Sequence, residues 1–191
     1  MTASKVDIEQ ALRPELAAGE RLLWSGQPRQ GVFLRGADAF MIPFSLLWGG
    51  FAIFWEYSVV VQDSPFFMKL WGIPFVVMGL YLIVGRFPAD AKLRERTYYG
   101  LTDRRALIVS GLFSRSVRSV ELRTVQEVNL REGGDRTGTV TFGAQAPGNW
   151  SGMASWPGMA TRMAPAFDSI PDARTVYNQV RSAQSSLLPA G

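Results

Sequence analysis

The chain has 191 residues, a formal net charge of +4, 47% hydrophobic and only 19% charged residues, and neither cysteine nor histidine. Those two absences exclude disulfides, thiolate and imidazole metal sites, cysteine nucleophiles and any proton relay built on histidine. The length suits one compact domain and is marginal for two, and a charged fraction below the usual ~25% implies that apolar residues are pooled in one place.

Residues 1–38 read as an N-terminal arm. They hold no apolar core of the signal-peptide kind, so none is expected. Ser4-Lys5-Val6-Asp7 has capping-box spacing and opens a short helix carrying Val6, Ile8, Ala11 and Leu12, limited by Pro14. Leu22-Leu23-Trp24 is a short apolar run closed by the turn signal Ser25-Gly26-Gln27-Pro28. Trp24 is a candidate interface anchor, either at lipid headgroups or against the rest of the protein; simple packing is the plain alternative.

The pooled apolar residues follow, as a hairpin over 39–85. Residues 39–61 contain one charge, Glu56, and residues 66–85 contain one, Lys69. As helices they would span about 34 and 30 Å, close to a bilayer core of about 30 Å. A soluble globule burying both would need many more residues around them. Only Gln62-Asp63-Ser64-Pro65 joins the two runs, which makes an antiparallel pair with both chain ends on one side. Lys5, Arg13, Arg21, Arg29 and Arg35 precede the pair, Arg86, Lys92, Arg94 and Arg96 follow it, and the connecting loop has no base. The positive-inside rule then predicts a multi-pass protein of the bacterial inner membrane with both termini cytoplasmic. Gly49, Gly50, Gly72 and Gly79 would permit close helix approach, and Pro74 predicts a kink. Glu56 and Lys69 fall at similar depth near the outer interface and form a candidate intramembrane pair; snorkelling side chains are the plain reading.

Residues 88–184 read as a second, cytoplasmic domain, with 185–191 a tail. Short strands are expected at 97–102, 105–110, 116–122, 125–131 and 138–143, the last alternating cleanly with Val140 and Phe142 inward. Turns this short make an antiparallel meander. Residues 144–165, rich in Gly, Pro and Met and carrying Trp150 and Trp156, read as a long irregular loop. A helix is expected from Pro171, with Ala173, Val176, Tyr177, Val180 and Ala183 on one apolar face.

These pieces, in this order, resemble a family. Glu20-Arg21-Leu22-Leu23-Trp24-Ser25-Gly26-Gln27-Pro28, the apolar hairpin, Tyr99-Gly100-Leu101-Thr102-Asp103-Arg104-Arg105, Gly138-Thr139-Val140-Thr141-Phe142-Gly143 and Phe167-Asp168-Ser169-Ile170-Pro171-Asp172-Ala173 with Val176-Tyr177 look like bacterial pleckstrin-homology-like membrane proteins. The resemblance covers most of residues 20–183 and departs from the family at 144–165. It implies a membrane helical hairpin plus a mainly-β, α+β PH-like domain: an antiparallel, partly open barrel capped by a C-terminal helix. It implies no activity.

Residues 86–131 hold ten of the twenty bases against five acids. Arg86, Lys92, Arg94, Arg96, Arg104 and Arg105 are therefore candidate contacts to an anionic leaflet, each worth about 1 kcal/mol there; a topology signal with a solvated face is the plain alternative. Gly133-Gly134-Asp135-Arg136-Thr137-Gly138 lacks the lysine of a phosphate loop and reads as a hairpin turn. Asn149-Trp150-Ser151 matches a glycosylation sequon on the wrong side of the membrane. No recognition helix carries the basic charge, so no nucleic-acid partner is expected. No catalytic residue, metal site, cofactor or small-molecule substrate is indicated. The expected function is a non-catalytic binding or scaffold module with a protein partner or a second copy of itself. The alternatives are an anionic-lipid sensor, or an accessory subunit of a membrane enzyme or transporter complex.

Overall fold

The computed structural model describes residues 4–32, 38–111, 114–133, 137–144 and 164–187. The long loop expected at 144–165, including Trp150, Trp156 and the sequon, lies almost wholly outside the described residues. So do Arg35 and the centre of the Gly133–Gly138 turn.

The chain divides into two compact units. Of the described residues, one contains 4–31, 91–144 and 164–187. It begins with α1 (Lys5–Leu12), started by a complete capping box: Ser4 Oγ accepts from Asp7 N at 3.2 Å and Asp7 Oδ2 accepts from Ser4 N at 3.0 Å. Then comes β1 (Leu22–Gly26), read from sequence only as an apolar run in a separate arm. It is the first strand of the domain and pairs antiparallel with β2 (Tyr98–Thr102), more than seventy residues later in the chain. Next are β3 (Arg105–Ser110) and β4 (Ser116–Glu121), giving a four-stranded sheet in the order β1-β2-β3-β4. Strands β5 (Val128–Glu132), β6 (Thr137–Phe142) and β7 (Ala166–Pro171) form a second, three-stranded antiparallel sheet. The described strands thus make two sheets and not one closed barrel.

The core lies between these sheets and α5 (Ala173–Leu187), which packs on β5 and β6. Ala173, Val176, Val180 and Ala183 are buried at the three- and four-residue spacing of one helix face. Phe167 is 0% exposed and is the hub, with ring centroids 5.5 Å from Trp24, 5.0 Å from Tyr99 and 4.9 Å from Phe142. Close approach of α5 depends on Gly138, where an added Cβ would stand 2.8 Å from the Ala173 Cβ and 2.6 Å from the Arg131 carbonyl. Pro171, expected to open α5, is instead the last residue of β7. Strand β7 contains a bulge: Asp168 and Ser169 lie between residues paired with Gly138 and Val140, and Ser169 has φ +50°. Its carbonyl accepts the Arg29 N–H at 2.8 Å, a backbone bond from β7 to the segment leaving β1.

The second unit holds the hairpin. Helix α2 spans Asp38–Val61 and α3 spans Phe66–Leu80, followed by a π-helical turn (Tyr81–Gly85) and α4 (Arg86–Glu95) without an intervening loop. The helical stretches are 24 and 30 residues long, apolar enough to cross a membrane by length and composition. Helix α3 runs on through Pro74, and the irregular turn comes later, at Tyr81. Small residues form the seam. A Cβ on Gly79 would lie 2.8 Å from the Gly49 Cα, and one on Gly49 would lie 2.8 Å from Ile83 Cδ1. Gly50 faces open space.

The seam makes a paired prediction for the full chain in detergent. Gly79→Ala should separate α2 from α3 and lower the thermal unfolding midpoint seen by circular dichroism. Gly50→Ala should leave it unchanged or raise it, since alanine favours a helix over glycine by about 1 kcal/mol.

Candidate functional site

The most organised polar cluster joins the N-terminal arm to the turn between β2 and β3. Glu20, just before β1, is buried, its side chain 1% exposed. Arg105, the first residue of β3, meets it as a fork: Nε to Oε1 and Nη2 to Oε2, both at 2.8 Å. The Thr102 hydroxyl donates to Oε1 at 2.7 Å and Ala17 N donates to Oε2 at 2.7 Å. Arg105 Nη2 also donates to the Glu15 carbonyl at 2.8 Å. The Arg105 fork, together with these neutral donors, pulls the Glu20 carboxyl from 4.5 down to about 2 and holds the guanidinium charged. The neighbouring backbones bond reciprocally: Asp103 N donates to the Arg21 carbonyl at 3.0 Å, and Arg21 N donates to Asp103 Oδ1 at 3.1 Å. Sequence reasoning missed Glu20 and Thr102. The partners are 85 residues apart and no spacing rule links them; the one available signal was a charged residue directly before an apolar strand.

The six bases expected to face lipid have different fates. Arg105 is spent on Glu20. Arg94 is buried and donates to the Gly31 carbonyl at 2.7 Å. Arg86 is 6% exposed, pairs through Nη1 with Asp38 Oδ1 at 2.8 Å and lies over the Phe87 ring at 4.5 Å. Lys92 pairs with Glu95 at 3.0 Å on an exposed helix face. Arg96 and Arg104 are exposed. Three of the six are therefore internal structural groups, for a physical reason: each sits where a helix end or a strand leaves backbone carbonyls or a buried carboxylate that needs a donor.

The expected Glu56–Lys69 pair is not formed. Lys69 Nζ reaches Asp63 Oδ1 in the exposed turn at 2.7 Å. Glu56 reaches α3 at Gly72 instead, where an added Cβ would lie 1.7 Å from its Oε2; that buried oxygen has no hydrogen-bond partner. Trp24 is likewise no surface anchor. Its indole packs on Phe167 and covers Gly26, where a Cβ would come within 2.5 Å of the ring. Beyond it, Gln27 Nε2 donates to the Glu95 carbonyl and Gln30 Nε2 to the Arg94 carbonyl, each at 3.2 Å. With Arg94 on Gly31, these bonds tie the segment leaving β1 to the end of α4.

Among the described residues no group of three or more acidic side chains is placed to hold a metal ion. The cluster has an orienting, charge-neutralising chemistry: the Arg105 guanidinium and the Thr102 hydroxyl are both turned onto the Glu20 carboxylate.

Residues 39–184 fit the family model described as Bacterial PH domain. The match begins one residue into α2 and so omits β1 and Glu20. No curated protein and no solved structure matches the chain.

Removing one partner of the buried pair should be costly. Glu20→Gln or Arg105→Met should each destabilise the chain by about 3–5 kcal/mol, and the double variant Glu20→Met/Arg105→Met by less, read by chemical denaturation. The carboxyl is depressed in the folded chain, so its contribution is complete above about pH 4.5 and is lost as the pH falls toward 2. Wild-type stability should therefore drop through that window, and the double variant should show a shallower drop.

Proposed function

Because the chain belongs to the bacterial PH domain family, we propose that it is a non-catalytic binding module, fixed to the cytoplasmic face of the bacterial inner membrane by its α2–α3 hairpin, with a protein as its partner. The observation that carries this reading is the apolar surface of the hairpin. Leu47, Phe51 and Phe54 on α2 and Phe67, Trp71 and Val77 on α3 are all exposed. Two helices of spanning length that show such side chains need a lipid or protein surround, since an apolar surface of that size is not left in water. The hairpin is inserted between β1 and β2, so the domain carries its anchor within its own sequence. The excess of Lys and Arg on both flanks, against a loop without any, supports cytoplasmic termini.

Protein binding is preferred to lipid sensing because half of the candidate lipid contacts are spent inside the fold. Arg96 and Arg104 stay exposed, and they support weak, salt-sensitive attraction to an anionic leaflet rather than a specific headgroup site. The accessory-subunit reading draws on Glu56, whose unpartnered oxygen lies in the helix seam.

The native absence of cysteine makes topology directly testable. A membrane-impermeant maleimide added to intact cells should label Ser64→Cys in the hairpin turn and spare Ser185→Cys in α5 until the inner membrane is opened. The reverse pattern, or labelling of both in intact cells, would remove the proposed orientation.

A further inference from the structure

The apolar runs 39–61 and 66–85 hold one acid, Glu56, and one base, Lys69. Glu56 lies five residues, about 8 Å, before the end of α2. Its carboxyl reaches across to α3 rather than along α2 to the turn. A Cβ on Gly72 would stand 1.7 Å from Glu56 Oε2 and 2.7 Å from Trp55 Cζ3, so the carboxyl and the indole both lie across that glycine. Oε2 is enclosed there; Oε1 is not, and Glu56 as a whole is half-buried. Among the described residues the carboxyl has neither a hydrogen-bond nor an ion-pair partner. Lys69 is three residues from Gly72 on α3, but Asp63 in the turn holds it at 2.7 Å. The flanks of Glu56 are open. Ile53 and Val60, three residues before it and four after, are 44% and 52% exposed and neighbour it on the helix surface.

We propose that Glu56 is the docking point for a transmembrane helix of a partner protein. That helix carries a lysine or arginine at the same depth, which donates to Glu56 Oε1, and packs its apolar flanks on Ile53 and Val60. A carboxyl in hydrocarbon has no water to bond and needs its donor from protein. A cationic donor makes the strongest hydrogen bond to it, and its charge is complementary. The hairpin does not supply one, because Asp63 keeps its single base at the turn. Ile53 and Val60 alone would accept lipid or any apolar helix; the acid between them selects a basic one. This inference rests on the membrane-anchored binding-module reading and gives that module a contact within the bilayer.

The test uses the full chain in lipid vesicles, with a fluorophore on Ser64→Cys in the turn. It is titrated with quencher-labelled synthetic helices of about 21 leucine and alanine residues, long enough to span the bilayer. One helix carries a lysine about 8 Å from one end, a second carries glutamate there, and a third leucine. The lysine helix should bind about fivefold or more tightly than the leucine helix, the gain an interhelical polar bond brings in model peptides. The glutamate helix should show no gain. Glu56→Leu should abolish the lysine gain. Asp63→Asn frees Lys69 to reach Glu56 within the chain and should reduce the gain, and Asp63→Asn/Lys69→Leu should restore it. No gain in the wild type, or a gain that survives Glu56→Leu, would overturn the Glu56 contact and keep the binding-module reading. A chain that alkaline carbonate strips from the vesicles would overturn both.

Discussion

The Glu20–Arg105 fork is the contact on which the rest of the domain depends. It joins a strand that precedes the hairpin to a sheet that follows it, across 85 residues of chain. A loop of that length is tolerable entropically, because closure cost grows only with the logarithm of length, but it supplies no register. Strand β1 has just five residues, and a slip of one would turn Trp24 away from Phe167. The buried carboxylate removes that freedom. It is satisfied by Arg105, Thr102 and Ala17 together, and a slipped strand would bury it unpaired. Arg105 stays 22% exposed, so the pair pays only part of the desolvation cost that makes fully buried ion pairs poor stabilisers. Its effect is as much on which structure forms as on how stable that structure is.

Once β1 is placed, the aromatic core follows. Trp24 reaches Phe167 from the first sheet, Tyr99 reaches it from the neighbouring strand, and the Tyr99 hydroxyl accepts the Asp168 N–H at 3.2 Å. The bulge in β7 turns the Ser169 carbonyl toward Arg29. The same accounting revises the electrostatics. Residues 86–131 are rich in bases, yet Arg86, Arg94 and Arg105 face Asp38, a backbone carbonyl and Glu20. Charge counted along a sequence is not charge on a surface when guanidinium groups supply the donors that strand starts and helix ends require.

How much of this was legible follows from what each pattern depends on. The capping box at Ser4, the two apolar runs, the alternation at Gly138–Phe142 and the apolar face of α5 are local signals, and each appears in the structure close to where the sequence puts it. Strands β1 and β7 were not read as strands because each contains a bulge that breaks the period of two: Leu23 in one, Asp168 and Ser169 in the other. The helix start expected at Pro171 falls instead at Ala173, after Asp172, whose φ is +48°. The Glu20 site was invisible because its members come from two separated segments. Lys69 was read as the partner of Glu56 and pairs with Asp63 instead; the difference turns on Gly72, whose missing side chain gives the Glu56 carboxylate a place to lie.

The Trp24-Ser25-Gly26-Gln27-Pro28 segment can now be argued residue by residue. Trp24 fills the core, and Gly26 is small because the indole lies over it. Gln27 then answers a problem at the other end of the insertion. Helix α4 passes through Arg96 and Thr97 into β2 with no glycine to cap it, and its end tightens so that Arg96 N donates to the Leu93 carbonyl at 3.1 Å and Thr97 N to the Arg94 carbonyl at 3.2 Å. The Gln30 carboxamide adds a second donor to the Arg94 carbonyl, Gln27 donates to that of Glu95, and Arg94 returns a bond to Gly31. The two ends of the insertion are thereby held side by side, the condition under which a domain accepts an insert at little cost to its own fold. The hairpin has its own glycine seam at Gly49 and Gly79, and the domain its own core around Phe167. The two carboxamides satisfy backbone carbonyls without adding charge, and the buried Arg94 guanidinium is the charged member of the clasp.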